Sequence, residues 1–272
     1  RVYRAKVYEV QESGRDSKGQ HVANLLALQP EERVVKVLDL KDYAQEPYLV
    51  MATKNGLVKK TALELYDTAR TGGIIAIKLR EGDELVNAML VSEENDVLLV
   101  SRKGMSIRFS AANDSMRPMG RDTSGVIGMA FRKQDELLSA SVIGESGFVF
   151  VVTEGGYAKR TAADQYRVQK RGGIGIKVAK LDEKRGDLVG ALMVDESDEV
   201  LAVLSSGKVI RSSATEVPAK GRDTMGVVFA RFDQSDSVLS IARNSERNLE
   251  TNEDLIEETE TEGAADGAVQ AE

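Results

Sequence analysis

Hydrophobic and polar residues recur along this chain with a period of about fifty residues. Four stretches predict β-hairpins, because each has an apolar, β-branched strand, a turn that contains glycine and a second strand. The turn glycines are Gly56, Gly104, Gly156 and Gly207. After each hairpin come a glycine-rich segment, an apolar strand, an acidic turn and another apolar strand. The pattern therefore predicts four strands per repeat.

A four-stranded unit of about fifty residues is typical of one blade of a β-propeller. Periodicity alone leaves another kind of β-repeat array open, but it disfavours a helical solenoid, because residues 1–244 hold no sustained helical period. We expect an all-β, propeller-like domain over residues 1–244. Its repeats are predicted at about 1–46, 47–95, 96–146, 147–198 and 199–244.

Composition narrows the possible chemistry. The 272 residues include no Cys and a single His, His21, which excludes disulfides and any multi-His or Cys-based metal site. No P-loop or nucleophile-elbow motif occurs, so we predict no catalytic residue and no metal. No apolar run is long enough to span a bilayer, and a cytoplasmic protein without membrane contact is expected.

Charge is distributed unevenly. The net charge is −7, yet residues 245–272 contain ten acidic residues and one basic residue, so the rest of the chain is slightly basic. This asymmetry favours a body that binds a polyanion and a disordered acidic tail over 245–272. A tail that only improves solubility stays open as an alternative.

A cation stands four residues after each turn glycine: Lys60, Arg108, Arg160 and Arg211. Arg4 would continue the series if a turn glycine preceded the chain. In a ring of blades, one cation per blade predicts a positive belt around the rim, which suits the phosphate backbone of duplex DNA. The alternative is that each cation caps a turn or pairs with the acidic turn of a neighbouring blade.

The segments between strands alternate between two kinds. The first, third and fifth repeats have Arg-Asp-Ser/Thr-x-Gly, beginning at Arg15, Arg121 and Arg222. The second and fourth have Arg70-Thr-Gly-Gly or Arg171-Gly-Gly, each preceded by two cations and a Thr. If this order continues upstream, the neighbouring repeat is of the Arg-Gly-Gly kind. Backbone N–H groups in such glycine-rich loops could also approach phosphates closely.

Several segments together resemble one family. They are Arg1-Val-Tyr-Arg-Ala-Lys6-Val-Tyr, Gln20-His-Val-Ala-Asn-Leu-Leu, Asn55-Gly-Leu-Val-Lys-Lys-Thr61, Arg117-Pro-Met-Gly-Arg121 and Gly155-Gly-Tyr-Ala-Lys-Arg-Thr161. Over residues 1 to about 244 the chain resembles the C-terminal β-pinwheel domain of DNA gyrase A subunits, most closely those of actinobacteria. The resemblance implies a six-bladed ring with strands exchanged between neighbours, of which five repeats occur here and the first blade is absent.

The family hallmark is the box Q-R-R-G-G-K-G on that first blade. Residues 169–175 resemble a second box, with Lys170 in place of Arg and Ile174 in place of the second cation. The belt, the loops and the resemblance together give the predicted DNA-binding set: Arg4, Lys6, Lys59, Lys60, Arg70, Arg108, Arg121, Lys159, Arg160, Gln169, Lys170, Arg171, Gly172, Gly173, Lys177, Arg211 and Arg222.

The resemblance also implies a mechanism. The domain wraps duplex DNA and presents it to the breakage domain of the gyrase A protein. ATP hydrolysis by the B subunit of an A2B2 assembly then drives negative supercoiling. ATP and Mg belong to the whole gyrase, no cofactor is expected in this chain, and none of its tyrosines is expected to be catalytic. The acidic tail is expected to compete with DNA. Two alternatives remain: the C-terminal domain of the topoisomerase IV A protein, and a propeller that scaffolds proteins.

Overall fold

The computed structural model describes residues 1–14, 16–40, 47–68, 70–132, 134–233 and 236–244. Each predicted hairpin is present, so the expectation of four β-hairpins is confirmed. Their strands are β1 (Tyr48–Thr53) with β2 (Leu57–Ala62), β4 (Asp96–Ser101) with β5 (Met105–Ser110), β8 (Phe148–Thr153) with β9 (Tyr157–Ala162), and β12 (Glu199–Leu204) with β13 (Val209–Ser213).

Two further sets of strands complete the sheets. Four are long: β3 (Leu85–Val91), β7 (Leu137–Ile143), β11 (Leu188–Val194) and β15 (Val238–Asn244). Three contain two residues each: β6 (Val126–Ile127), β10 (Ile176–Lys177) and β14 (Val227–Val228). Short 3-10 turns lie at Val7–Glu9, Val22–Asn24, Leu63–Tyr66, Ala163–Gln165 and Ala214–Glu216.

The sheets exchange strands between repeats. Their orders are β3-β1-β2-β6, β7-β4-β5-β10, β11-β8-β9-β14 and β15-β12-β13. Strand β6 follows β5 along the chain but pairs with β2 of the preceding repeat, and β10 and β14 repeat this arrangement. Each four-stranded sheet is therefore completed by the next repeat, which confirms the predicted β-pinwheel.

Strands β3, β7, β11 and β15 lie where successive sheets converge. Asn87 on β3 donates its amide to Ala140 O on β7 at 2.6 Å, and Ser139 on β7 donates its hydroxyl to Ala191 O on β11 at 2.9 Å. Gly190 on β11 packs against Ile241 on β15, with no space for a side chain. The short exchanged strands occupy the opposite edge of each sheet, so they lie at the outer rim.

The hydrophobic core consists of layers between neighbouring sheets. Val97 and Leu99 on β4 pack toward the first sheet, whereas Leu98 and Val100 pack toward the third. This alternation follows from the two-residue period of a strand. Because every inner sheet has a neighbour on both sides, both faces of its central strands are buried, and the strands have continuous apolar sequences.

The first repeat contributes less regular structure. Val2 forms an isolated antiparallel bridge with Ile74, with backbone hydrogen bonds of 2.9 and 3.0 Å, at the position that the exchanged strands occupy in other sheets. Val2 and Leu40 pack against the buried cluster around Leu49 and Met51. The predicted loop arginine Arg15 and the predicted disordered tail, 245–272, lie outside the described residues.

A glycine with positive φ precedes each exchanged strand. Gly226 has φ +79°, and a Cβ placed there would lie 2.5 Å from Ala158 O on β9. Gly125 and Gly175 have the same conformation and equally close carbonyl neighbours on β2 and β5. Positive φ and the absence of a side chain are both required for the exchanged strand to approach its partner.

We expect Gly226→Ala to destabilise the domain by about 3 kcal/mol, because it adds a backbone clash to the strain of positive φ. Gly207→Ala is the matched control, since Gly207 has φ +82° and a Cβ at that position would meet no atom within 4 Å. Strain alone predicts about 1 kcal/mol for the control. Urea unfolding measures both, and equal losses would contradict the close approach.

Candidate nucleic-acid interface

The recurring cations lie between the sheets, not on the rim. Lys60 is fully buried, Arg160 is 8% exposed and the side chain of Arg108 is 10% exposed. The adjacent Lys59 and Lys159 are also buried, at 0% and 2%. The expectation that Lys60, Arg108 and Arg160 lie on a belt around the rim is therefore wrong, because they occupy central strands covered on both faces. Lys59 and Lys159, which belong to the predicted DNA-binding set, are enclosed in the same way.

Lys60, Arg108 and Arg160, the inter-sheet cations, each reach across to the next repeat. Lys60 Nζ donates to Ala111 O at 2.5 Å and to Asn113 Oδ1 at 2.7 Å. Arg108 donates to Ala163 O and Tyr166 O at 3.4 and 3.3 Å, and Arg160 Nε donates to Val217 O at 2.6 Å. Their acceptors lie mainly in the turn that follows the next hairpin, so these charges join adjacent sheets.

The hairpin register explains why these charges are buried. Lys60 pairs with Val50 and Lys59 with Met51, both inside an apolar strand. A continuous apolar run on β1 already indicates that both faces of this strand are buried. Counting outward from the turn glycine places the two lysines directly opposite that apolar run. This signal is present in the sequence, but a pattern of one charge per repeat is equally typical of an exposed surface.

The inter-sheet cations have two kinds of partner within their own repeat. Lys60 lies 4.2 Å from the ring centroid of Tyr48, and Arg160 lies 4.5 Å from that of Phe148. In the other repeats a carboxylate replaces the ring: Arg108 Nε lies 2.7 Å from Asp96. Burial of a cation requires such partners, because unpaired charge is costly away from water.

Arg4 and Arg211 are the outer members of this series. Arg4 pairs with Asp67, just after the 3-10 turn of the second repeat. Like the inter-sheet cations, it therefore contacts the turn that follows the next hairpin. Arg211 Nε lies 2.7 Å from Glu199, but its side chain is 51% exposed. Lys6 is exposed near the start of the chain. Any DNA contact by these three residues stays a prediction.

Lys59 and Lys159 each bind one backbone carbonyl of their own repeat and at least one of the following repeat. Lys59 Nζ donates to Ala76 O at 2.5 Å and to Arg121 O. Lys159 Nζ donates to Val178 O, to Gly221 O at 3.0 Å and to Arg222 O. Burial lowers the pKa of each lysine to about 8. The three carbonyl acceptors around Lys159 Nζ require three N–H donors, which only the protonated ammonium supplies.

Four segments carry accessible positive charge and lead to the exchanged strands or, in the second repeat, to the Ile74 bridge. They are here called the rim loops: 67–75, 117–127, 167–177 and 218–228. Together they contain nine basic and three acidic residues. The basic residues are Arg70, Arg117, Arg121, Arg167, Lys170, Arg171, Lys177, Lys220 and Arg222. The acidic residues are Asp67, Asp122 and Asp223. The rim loops therefore form a discontinuous basic surface with one segment from each of the second to fifth repeats.

The rim loop at 167–177 has four basic residues and no acidic one. Lys170 is exposed, whereas Arg171 is half-buried and donates to Ser115 O at 3.0 Å and Ile127 O at 3.1 Å. Its guanidinium therefore fixes the loop to the preceding repeat while contributing charge to the surface.

The backbone groups of Gly172 and Gly173 in the box-like segment already form hydrogen bonds within the protein. Gly172 N donates to Gly128 O at 2.7 Å, and Gly173 O accepts from Ala130 N at 2.9 Å. The expectation that the Gly172 N–H is available to a phosphate is therefore wrong. Gln169 N donates to Arg108 O at 2.7 Å, and its side-chain nitrogen is buried without a hydrogen-bond partner among the described residues.

The remaining predicted rim residues differ in their surroundings. Arg70 is exposed and Arg121 is half-buried. Arg222 donates to Lys177 O at 3.1 Å, as Arg171 does to Ile127 O. Lys177 lies 3.2 Å from Asp223 in an exposed ion pair, which reduces its net charge at the surface. The structure thus leaves a smaller set of surface cations than the sequence predicts.

The acidic turns are structural. Asp135 accepts from Ser101 Oγ at 2.7 Å and Lys103 N at 3.0 Å, and Asp83 accepts from Asn55 N at 2.9 Å. These bonds tie the turn before β3 or β7 to the neighbouring hairpin turn. Asp83 is 7% exposed, so its carboxylate serves this turn from a buried position.

Sites of two other classes are absent from the part of the chain that the structure describes. No group of three or more His, Cys, Asp or Glu residues is arranged there to hold a metal ion. Within the same residues, no helix has the length and apolar character needed to cross a membrane.

The fold and surface define a β-propeller-like repeat domain with exchanged strands and a basic rim. The family model described as "DNA gyrase C-terminal domain, beta-propeller" matches residues 1–41, 47–92, 95–143, 147–195 and 198–245. The chain belongs to this family.

Curated relatives agree. The DNA gyrase A protein of Streptomyces coelicolor is 56% identical over 97% of this chain and 32% of its own length. The DNA gyrase A proteins of Mycolicibacterium smegmatis and Mycobacterium tuberculosis are each 53% identical, over 98% and 93% of this chain and 31% and 30% of their own lengths. The chain thus spans about a third of these relatives.

Solved structures share the fold. A "DNA gyrase A C-terminal domain" has a TM-score of 0.74 at 29% identity, covering 88% of this chain and 77% of its own. The "C-terminal domain of DNA topoisomerase IV" has a TM-score of 0.76 at 23% identity, covering 84% and 71%, and shows the fold alone.

We expect Arg108→Met to destabilise the domain by about 3 kcal/mol, because it leaves the largely buried Asp96 unpaired. Arg211→Met is the matched control: its ion pair with Glu199 has the same 2.7 Å distance but is more exposed, with side chains 51% and 24% accessible. An exposed pair predicts a loss below about 1 kcal/mol. Chemical denaturation compares the two, and equal losses would show that burial does not decide their contribution.

Proposed function

We propose that the rim loops bind duplex DNA without reading its sequence and bend it around the outer edge of the sheets. The observation that supports this is the charge of the rim loops, nine basic residues against three acidic ones, in a chain whose net charge is negative. Phosphate contacts by Lys and Arg supply affinity through counterion release and carry no base specificity.

The curved arrangement of the rim suits bending. Smooth bending of a short duplex by 40–90° costs on the order of 1–6 kcal/mol. Since each of the second to fifth repeats places one rim loop at the outer edge, successive loops would meet a duplex that follows the ring. A flat basic patch would offer fewer contacts to bent DNA than to straight DNA.

The rest of the proposal follows from the family. We propose that this domain acts within a cytoplasmic A2B2 gyrase, where it presents wrapped DNA to the breakage domain of the gyrase A protein. ATP hydrolysis with Mg, carried out by the rest of the assembly, would drive negative supercoiling. The domain itself contributes the positioning of DNA and no covalent chemistry.

We expect Arg70→Gln combined with Lys170→Gln to weaken DNA binding, because both exposed side chains lie on rim loops of different repeats. Each lost phosphate contact should reduce the slope of log K against log salt by about 1. Titration of a fluorescent duplex at several salt concentrations measures this slope.

The matched control is Lys184→Gln with Lys208→Gln. Both lysines are exposed, and they lie in turns beside the hairpin turns, away from the rim loops. This double variant changes the net charge equally and should leave the slope unchanged. Equal effects of the two double variants would indicate general charge attraction and would refute a rim interface.

A topology assay separates gyrase from topoisomerase IV. The full gyrase A protein carrying this domain, with its B partner, should introduce negative supercoils into relaxed plasmid. The Arg70→Gln, Lys170→Gln variant should do so more slowly while still relaxing supercoiled DNA. Relaxation and decatenation without supercoiling would favour topoisomerase IV, and absence of DNA binding would favour a protein scaffold.

A further inference from the structure

The residue three positions after each turn glycine contacts the rim loop of the next repeat. This position is Lys59 on β2, Ile107 on β5 and Lys159 on β9. Tyr3 occupies the same place in the first repeat, because it precedes Arg4 and because the neighbouring Val2 pairs with Ile74. Four such contacts can therefore be compared within one chain.

The two lysines meet loops of one kind. Lys59 binds the carbonyl of Arg121, and Lys159 binds those of Gly221 and Arg222. Both loops continue as Arg-Asp-Thr-x-Gly. In each, the Thr hydroxyl donates back to the glycine before the Arg, Thr123 to Gly120 O at 3.1 Å and Thr224 to Gly221 O at 2.8 Å. The Thr hydroxyl thereby holds each loop in a conformation that directs its backbone carbonyl oxygens at the lysine Nζ.

The apolar residues meet loops of the other kind. The Cδ1 methyl of Ile107 lies 3.7 Å from the place where a Cβ of Gly173 would stand, and the ring of Tyr3 lies 2.7 Å from the equivalent point at Gly73. These loops are glycine-rich, and neither has an Asp-Thr pair directly after its Arg. The carbonyl of Gly173 already accepts from Ala130 N, so it needs no donor at the Ile107 position.

Backbone pairing cannot distinguish the two kinds of loop. Each exchanged strand has only two residues, and all pair in the same register: Val126 with Val58, Ile176 with Ser106 and Val227 with Ala158. Any exchanged strand could therefore pair with any hairpin as far as its main chain is concerned. Chain connectivity brings consecutive repeats together, and any further discrimination between the two kinds of loop must come from side chains at the junction.

We propose that the residue three positions after the turn glycine selects which kind of loop docks on each hairpin. Lysine accepts an Arg-Asp-Thr loop, and an apolar or aromatic residue accepts a glycine-rich loop. A mismatch either removes the loop carbonyls from a buried ammonium, which then keeps only the carbonyl of its own repeat, or leaves the loop carbonyls without a donor, and both are costly. This selection concerns the order of repeats in the ring and does not depend on DNA binding.

A double-mutant cycle in the whole chain tests the proposal. One variant is Lys159→Ile. A second replaces residues 220–225, Lys-Gly-Arg-Asp-Thr-Met, with the sequence of 169–174, Gln-Lys-Arg-Gly-Gly-Ile, which has the same length and also precedes a glycine. Each change alone should lower the folding equilibrium constant on the order of 100-fold, and the combination should return to within about tenfold of the parent.

Cysteine pairs report docking directly, because the chain contains no native Cys. The pair Ala158→Cys with Val227→Cys spans the junction under test, and Leu57→Cys with Ile127→Cys spans an equivalent, unaltered junction. In the Lys159→Ile background, disulfide yield should fall at the first junction and persist at the second. Restoring the match with the exchanged loop should restore the yield.

A reciprocal cycle covers failure of the Lys159→Ile variant to fold. Ile107→Lys should be destabilising alone and rescued when residues 169–174 are replaced with Lys-Gly-Arg-Asp-Thr-Met. Additive losses in the cycles, or equal loss of disulfide at both junctions, would overturn the proposal, since the lysines would then serve general stability. DNA affinity of correctly folded, matched variants bears only on the separate proposal for the rim.

Discussion

Burial of both faces of the central strands is the constraint on which this architecture depends. Each inner sheet lies between two others, and the first repeat packs against the outer face of the first sheet. Side chains in the middle of β2, β5 and β9 are therefore buried or largely buried. The cations found there are stable because carbonyls, carboxylates or aromatic rings surround them. Charge is thereby used to join neighbouring sheets, alongside the apolar layers between them.

This constraint also determines where a polyanion can bind. Lys60, Arg108 and Arg160 are enclosed between sheets and bonded to the next repeat, which leaves the rim loops as the basic surface at the outer edge. Some rim cations have a second role, because Arg171 and Arg222 hold their loops against the preceding repeat. The proposed interface therefore depends on contacts between repeats as well as on surface charge.

Much of the fold could be predicted from the sequence, since turn glycines and apolar strands recur at a fixed spacing. The four hairpins and the alternation of loop kinds are both visible without coordinates. The surroundings of the cations are harder to predict. Strand periodicity assigns each side chain to one face of its sheet, but it does not show whether another sheet covers that face. Lys59 and Lys60 are adjacent and point to opposite faces, yet both are buried. Lys60 binds Ala111 and Lys59 binds Arg121, which lie 51 and 62 residues further along the chain, in the next repeat. No local pattern in the sequence indicates these partners.

The alternation of lysine and apolar residues at the hairpins has an arithmetical consequence for the shape of the ring. If neighbouring repeats must be of different kinds, a closed ring can hold only an even number of repeats. Gain or loss of one repeat would set two like neighbours side by side, whereas gain or loss of a pair would preserve every junction. The natural unit of duplication in such a propeller is therefore two repeats, about one hundred residues.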